Sequence, residues 1–211
     1  METSIDKKLA KALMDIKAVL LRPQEPFTWA SGWHSPIYCD NRRILSHPEL
    51  RAQVAQWLAD KAMELYPEAE VVAGVATGAI AHGVLAAARM QKPFVYVRPK
   101  PKDHGTGSQI EGELAPGKKV VVIEDLISTG MSSLAAVKAL RDAGAQVLGM
   151  VAIFTYGFDL AAQRFEEDKV RLNTLSNYSA LVDVASETGY ISSAAKSLLH
   201  EWRENPSEWG K

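Results

Sequence analysis

The sequence offers few residues that could bind a metal or cross-link the chain. Cys39 is the single cysteine among 211 residues, so an intrachain disulfide and a cysteine-based zinc site are both excluded. His34, His47, His82 and His200 have no metal-ligand spacing. A reducing, cytoplasmic location fits this composition.

Long apolar runs and an excess of charge of either sign are also absent. No apolar run approaches the ~20 residues of a membrane span, and residues 1–21 are too charged for the apolar core of a signal peptide. The formal net charge of −1 gives no overall attraction to nucleic acid or to anionic lipid. We therefore predict neither a nucleic-acid partner nor a membrane, and any anion site must be built locally.

The N-terminal part of the chain changes in character near residue 22. Apolar residues recur at helical spacing before that point and predict an amphipathic helix over 4–21. Residues 22–45 carry three prolines and several aromatic residues with little periodicity. They predict a small hood of short strands and loops outside the main sheet.

From residue 70 onward, apolar strands alternate with helices. The predicted strands are Val71–Val75, Phe94–Val97, Val120–Ile123 and Val147–Phe154, and the predicted helices are Ala79–Met90 and Ser132–Ala143. Continuous apolar strands in such an alternation indicate an α/β fold with a mostly parallel sheet that helices cover on both faces. The length favours one domain over 1–211.

The third of these strands leads into the segment that carries most chemical information. Glu124 and Asp125 follow the strand, and a hydroxyl-rich turn, 128–133, opens the next helix. Backbone N–H groups and the positive end of a helix favour a phosphate, whereas carboxylates suit sugar hydroxyls. The unit predicts a site for a phosphorylated sugar. The alternative is a serine-capped helix with acids near its start.

A long connection, 98–118, joins the second and third strands. It holds four glycines and places Arg98, Lys100, Lys102 and His104 within seven positions. Connections beyond ~15 residues are uncommon in compact domains and are usually functional or disordered. We predict a lid that closes over a polyanion, with a solvated basic loop as the alternative.

Two further segments have the features of ligand-binding turns. Residues 27–42 combine a tight turn with exposed amides and a stacking aromatic ring, Tyr38, which suit a flat anionic base. Residues 74–80 form a strand-to-helix turn with Gly74 and Gly78. Packed aromatic residues and close packing of helix on strand are the respective alternatives.

These motifs together resemble a known enzyme family. The stretch from Val120 to Ser133 resembles the signature with which type I phosphoribosyltransferases bind phosphoribosyl pyrophosphate (PRPP). The resemblance implies that the binding residues are Glu124, Asp125, Leu126, Ile127, Ser128, Thr129, Gly130, Met131 and Ser132. Met131 stands where many relatives have a glycine. Either its side chain crowds the turn that precedes the helix, or its backbone must adopt a negative φ.

The loop and the hood narrow the resemblance to the orotate phosphoribosyltransferases. Arg98, Lys102, Asp103, His104 and Gly105 match the catalytic loop of that family. The resemblance implies that Arg98, Lys102 and His104 bind PRPP and that Lys102, His104 and Asp125 are catalytic. The hood motif implies an orotate site at Ser128, Tyr38 and Ala30, with Trp33 and His34 as departures from the commoner residues. Lys100 is expected to replace the lysine that some relatives carry at Pro99.

The resemblance covers nearly the whole chain, from Leu9 through Tyr156, and thins toward the C-terminus. It implies a fold, a cofactor and an oligomeric state. It implies a parallel sheet of about five strands flanked by helices, with Mg²⁺ held mainly by PRPP. It also implies a homodimer whose lids serve neighbouring sites. The rivals are a phosphoribosyltransferase for a purine base, a non-catalytic PRPP-sensing regulator and an unspecified α/β nucleotide binder. The hood argues against the first, and the intact lid argues against the second.

Overall fold

The computed structural model describes residues 4–29, 32–100 and 108–210. It divides into two compact units. One is His47–Leu175, here called the sheet unit, and the other combines Met1–Ser46 with Ser176–Lys211, here called the terminal unit. In the described part of the chain, no helix combines the length and apolarity needed to cross a bilayer.

The elements follow one another in an order that keeps strands and helices alternating through the sheet unit. In chain order they are α1 (Ile5–Asp15), β1 (Val19–Leu21), β2 (Phe27–Thr28), β3 (His34–Ser35), β4 (Ile37–Cys39), the 3-10 helix η1 (Asn41–Ser46), α2 (Pro48–Leu65), β5 (Val71–Val75), α3 (Ala79–Met90), β6 (Phe94–Val97), β7 (Ile110–Glu111), β8 (Lys119–Ile127), α4 (Met131–Asp142), β9 (Gln146–Thr155), α5 (Asp159–Glu167), β10 (Leu172–Asn177), α6 (Tyr178–Glu187) and α7 (Ser193–Glu204).

The central sheet has six strands in the order β10-β9-β8-β5-β6-β7. The neighbours β9, β8, β5 and β6 run parallel, and β7 is antiparallel to β6. Every residue of β5 is buried, as are Val120–Glu124 of β8, which explains why these strands read as continuous apolar runs. The predicted mostly parallel α/β sheet is confirmed.

The composition of the connection 98–118 suggested a loop without regular structure, but the connection contains a short strand. Ile110 and Glu111 form β7, in register with Val97 and Tyr96 of β6. Two residues give no periodic signal, so sequence alone could not reveal this strand. The pairing fixes the second half of the connection to the edge of the sheet.

The predicted helix over 4–21 is wrong in its last third, 16–21. α1 ends at Asp15, and Lys17 adopts a positive φ of 57°. Val19–Leu21 then pairs antiparallel with Ile37–Cys39. Ile16 and Leu20 continue the helical spacing past Asp15, but Ile16 is the C-cap of α1 and Leu20 is the partly exposed middle residue of the all-apolar strand β1.

The described part of the hood forms the short strands that were predicted and a 3-10 helix that was not, and aromatic residues pack it against the C-terminal helix α7. The Trp29 ring lies 6.4 Å from that of Trp33 and 5.7 Å from that of Trp202. The Trp202 indole N–H donates to the His34 carbonyl oxygen at 3.1 Å. Trp33 and His34, which depart from the commoner family residues, therefore help to join the hood to α7.

Candidate active site

The PRPP motif forms a strand, a three-residue turn and a helix. The strand was predicted to end at Ile123, with Glu124 and Asp125 after it. β8 instead continues to Ile127, so both acids lie within the strand, near its carboxyl end. Ser128, Thr129 and Gly130 make the turn, here called the phosphate turn, and α4 begins at Met131. The free N–H groups at the start of this 12-residue helix give the turn the donors that an anion requires.

Gly130 is required at its place in the phosphate turn for two reasons. Its φ is +78°, which L-residues rarely adopt. A Cβ atom added there would lie 2.8 Å from Cε2 of Phe165 on α5. The turn is thus closely backed by a side chain that lies 35 positions further along the chain.

Met131 does not need the conformational freedom of glycine. It is the first residue of α4, where a helical backbone has a negative φ. Its side chain is 64% exposed and lines a groove beside α4 and α5. Of the two outcomes expected for this departure, the structure shows the negative φ.

Glu124 is buried and engaged with its neighbours. It is 4% exposed. One carboxylate oxygen accepts from the Ser133 hydroxyl at 2.8 Å, and the other accepts from the Asp125 N–H at 2.9 Å. Burial, followed by the negative charge of Asp125, raises the Glu124 pKa well above its ordinary value. In this structure Glu124 ties β8 to the first turn of α4.

Replacing Glu124 by glutamine should therefore stabilise the unliganded protein at neutral pH. Above the ordinary glutamate pKa, the folded state binds more protons than the unfolded state, so wild-type stability falls as pH rises. We expect the variant to lack this fall and to gain at least about 2 °C in Tm by about pH 8. Thermal unfolding from about pH 5 to about pH 8 measures the difference, with the exposed Glu113→Gln as control. A constant difference across this range would contradict the burial argument.

Asp125 lies against the turn that follows β5. A Cβ atom added at Gly78 would overlap the Asp125 carboxylate, so only glycine allows this approach. Gly74 has a different role, since a Cβ atom there would lie 2.9 Å from Cζ of Phe94 and 3.1 Å from the Ala79 oxygen. Residues 74–80 were interpreted either as a ligand-binding turn or as close packing of helix on strand. Gly74 serves close packing, whereas Gly78 lets this turn approach Asp125 of the PRPP motif. The Ala76–Thr77 peptide bond is cis.

Arg98 stands at the end of β6, where the predicted lid begins. Its backbone N–H donates to the Gln109 oxygen at 2.9 Å, and the Gln109 side-chain amide donates to the Arg98 oxygen at 2.7 Å. The guanidinium lies 3.7 Å from the Glu111 carboxylate. Lys102, Asp103, His104 and Gly105 lie outside the described residues.

A cavity of about 150 Å³ joins three of the predicted motifs at the carboxyl edge of the sheet. Its walls come from the end of β5, the root of the lid and the first turns of α4. The lining residues are Val75, Ala76, Val97, Arg98, Pro99, Gln109, Ser132, Ala135 and Ala136. In parallel sheets this edge is where ligands bind, and here the lining includes a cationic residue, Arg98, and a hydroxyl-bearing residue, Ser132.

The predicted base-binding residues are only partly described. Tyr38 lies on β4 in the terminal unit and is 42% exposed, with its ring 5.7 Å from the Phe27 ring. Such an exposed, laterally packed ring offers a face for stacking. Ala30 lies outside the described residues, and Ser128 belongs to the phosphate turn of the sheet unit. The grouping of these three residues stays a prediction.

The sequence interpretation missed several residues that support the site. The motif contains Ser133, but nothing in the sequence indicates its bond to Glu124. Gln109, which holds the Arg98 backbone, and Arg164, which donates to the Thr129 oxygen at 3.0 Å, gave no local signal. Both residues contact a segment that is distant in the sequence, so local spacing could not reveal them.

Comparison with known proteins decides which family this geometry represents. A family model described as a phosphoribosyl transferase domain matches residues 40–187. A protein of Porphyromonas gingivalis named orotate phosphoribosyltransferase is 53% identical over 207 residues, which cover 98% of this chain and 99% of that protein. The chain belongs to the orotate phosphoribosyltransferase family.

Other orotate phosphoribosyltransferases agree in length and fold. A relative in Listeria innocua is 53% identical and covers 99% of this chain and 100% of its own length. The crystal structure of orotate phosphoribosyltransferase from Aeropyrum pernix superposes with a TM-score of 0.75 at 31% identity, covering 87% of this chain and 99% of that one. The resemblance predicted from the motifs is confirmed. Because the family model begins at residue 40, the assignment to the orotate branch depends on the relatives that match the hood as well.

Proposed function

We propose that the protein transfers ribose 5-phosphate from PRPP to orotate, giving orotidine 5′-phosphate and pyrophosphate in the synthesis of UMP. The observation that carries this proposal is the convergence at one sheet edge of the phosphate turn, the Asp125 carboxylate beside Gly78, and Arg98. These groups match the three parts of PRPP: a phosphate monoester, a ribose and a diphosphate.

Each part of the site has a distinct task in this proposal. The N–H groups and hydroxyls from Ser128 to Ser132 bind the 5-phosphate at the start of α4. Asp125 accepts hydrogen bonds from ribose hydroxyls, and its position against the β5 turn supports a ribose bound between the phosphate turn and the lid. Glu124 holds Asp125 in place through the Asp125 N–H, and a direct contact of Glu124 with the ribose stays a prediction.

The chemistry requires stabilisation of charge that grows on the leaving group. The orotate nitrogen attacks the anomeric carbon through a transition state that resembles an oxocarbenium ion, and pyrophosphate leaves. Arg98, Lys102 and His104 neutralise the diphosphate, and closure of the lid excludes water that would hydrolyse PRPP. Ser128, Tyr38 and Ala30 hold the orotate ring.

Magnesium is the cofactor that this chemistry calls for. PRPP itself would hold most of the ion, since Mg²⁺ usually keeps several waters and binds through substrate phosphates. The residues fit this arrangement, because the Asp125 carboxylate stands beside the proposed ribose position and is compatible with a nearby cation. When bound with PRPP, Mg²⁺ supplies Lewis-acid neutralisation of the diphosphate. A homodimer with lids that serve neighbouring sites and a cytoplasmic location belong to the same proposal.

A base-selection assay tests the proposed function. The protein is mixed with PRPP and Mg²⁺, and consumption of orotate is compared with that of uracil, adenine and hypoxanthine. We expect turnover of orotate and none of the other three bases. Turnover of a purine would indicate a purine phosphoribosyltransferase. PRPP binding without turnover of any base would indicate a PRPP-sensing regulator.

Asp125→Asn tests the ribose assignment. The amide loses the negative charge and one acceptor oxygen while keeping the shape, so binding or turnover of PRPP should weaken by about tenfold or more. PRPP titration and steady-state kinetics measure this loss. Asp142→Asn is the matched control, because Asp142 is an exposed partner of Lys138 at 2.6 Å on α4. An unchanged PRPP titration in Asp125→Asn would contradict the assignment.

A further inference from the structure

We propose that Arg164 is a positioning residue that holds the phosphate turn in its anion-binding conformation from behind. This inference rests on the proposed function, since it assigns the turn to the 5-phosphate. Arg164 lies on α5, outside the PRPP motif. One guanidinium N–H group donates to the Thr129 carbonyl oxygen at 3.0 Å, in the middle of the turn.

The geometry of the peptide unit explains how this bond acts. The Thr129–Gly130 peptide is trans, so its C=O and N–H groups point in opposite directions in one plane. When Arg164 draws the Thr129 oxygen toward α5, the Gly130 N–H must point to the opposite side of the turn. Arg164 therefore selects one orientation of a donor that a flexible glycine would otherwise leave free.

The next residue of α5 strengthens the same arrangement. The Phe165 ring is 3% exposed, and it approaches so closely that a Cβ atom at Gly130 would lie 2.8 Å from it. Consecutive residues of α5 thus fix two adjacent residues of the turn, Arg164 through a hydrogen bond and Phe165 through packing. Such double support is typical of preorganised anion sites, where the donors are fixed before the ligand arrives.

The surroundings of Arg164 indicate positioning and not direct charge stabilisation. Arg164 lines a groove of about 570 Å³ between α4 and α5, together with Glu167 at the end of α5, Asp168 just after it and Asp142 of α4. Lys138 and Arg141 line the same groove, so it holds as many cations as carboxylates. The bond that Arg164 makes to the phosphate turn goes to the Thr129 carbonyl oxygen. Its contribution to phosphate binding therefore passes through the Thr129 peptide.

The same groove supplies a matched control. Arg141 also lines it and also donates to backbone oxygens, those of Asp168 at 2.9 Å and Lys169 at 3.4 Å. These bonds join α4 to the end of α5 and do not reach the phosphate turn. Arg141 is exposed, whereas Arg164 is partly buried. Loss of Arg141 removes the same kind of arginine–backbone bond, so it measures the cost of losing such a bond away from the phosphate turn.

Three variants and two ligands test the proposal in the full-length protein. Binding of ribose 5-phosphate and of pyrophosphate is measured by calorimetry for wild type, Arg164→Met, Arg164→Lys and Arg141→Met, together with Tm. We expect Arg164→Met to weaken ribose 5-phosphate binding by about tenfold, while pyrophosphate binding stays within about twofold. Arg164→Lys should recover most of the loss, because its ammonium can donate to the same oxygen. In kinetics, KM for PRPP should rise more than kcat falls.

The outcomes separate this proposal from the function on which it rests. Unchanged ribose 5-phosphate binding in Arg164→Met would overturn it, as would an equal loss in Arg141→Met or an equal loss of pyrophosphate binding. Failure of the proposed function would instead appear in the wild type, as absence of orotate turnover. Direct binding of ribose 5-phosphate does not require turnover, so the two failures are distinguishable.

Discussion

Replacing Gly78 by alanine is expected to lower kcat/KM for PRPP by about 100-fold or more while the protein stays folded. The added Cβ would overlap the Asp125 carboxylate, so either the carboxylate or the β5 turn must move. The Asp125 backbone is held by the bond from its N–H to the buried Glu124, so the displacement must fall on the Asp125 carboxylate or on the β5 turn. A displacement of about 1 Å in a reacting group can reduce the rate by about 100-fold.

Gly83→Ala is the control for the structural cost of a methyl group on α3. Its Cβ would lie 2.8 Å from Cε2 of Phe94, so it strains the packing of α3 on the sheet without touching Asp125. We expect a lower Tm but nearly unchanged kcat/KM. The double variant Gly78→Ala with Asp125→Ala should be no less active than Asp125→Ala alone, because the overlap has been removed. Activity of Gly78→Ala within threefold of wild type would show that the contact has no role in catalysis.

Lys102→Ala is the second substitution with a large expected effect. If Lys102 meets the diphosphate as the lid closes, its charge acts mainly in the transition state, where loss of one such group costs about 2–3 kcal/mol of barrier. We expect kcat to fall by roughly 30- to 150-fold. Steady-state and single-turnover kinetics measure the change.

Lys118→Ala provides the control for Lys102→Ala. Lys118 lies at the far end of the same connection and forms an exposed ion pair with Glu70 at 2.6 Å, which contributes little in water. Its loss should leave kcat unaltered. A kcat for Lys102→Ala within twofold of wild type would remove Lys102 from the mechanism.

The sheet was predictable because its strands are buried on both faces. Runs such as Val71–Val75 and Val120–Ile123 have no polar side to confuse the pattern. The N-terminal helix was not predictable to its end, because a chain reversal at Lys17 and the pairing of β1 with β4 depend on a partner strand distant in the sequence. Spacing alone cannot distinguish three residues of strand from the last turn of a helix.

The same distinction explains which parts of the site could be predicted from the sequence. The acids, the phosphate turn and Gly78 lie in short motifs whose chemistry can be read residue by residue. The burial of Glu124 against Ser133 and the bond from Arg164 to Thr129 arise only when separate elements pack. The first set identifies the ligand, whereas the second decides which groups touch it and which hold those groups in place.

A crystal structure of the protein with PRPP and Mg²⁺ tests the central claim most directly. The account predicts the 5-phosphate within hydrogen-bonding distance of the N–H groups between Ser128 and Ser132, and the ribose hydroxyls against Asp125. A phosphoribosyl group bound elsewhere, with the phosphate turn and Asp125 out of reach, would contradict it.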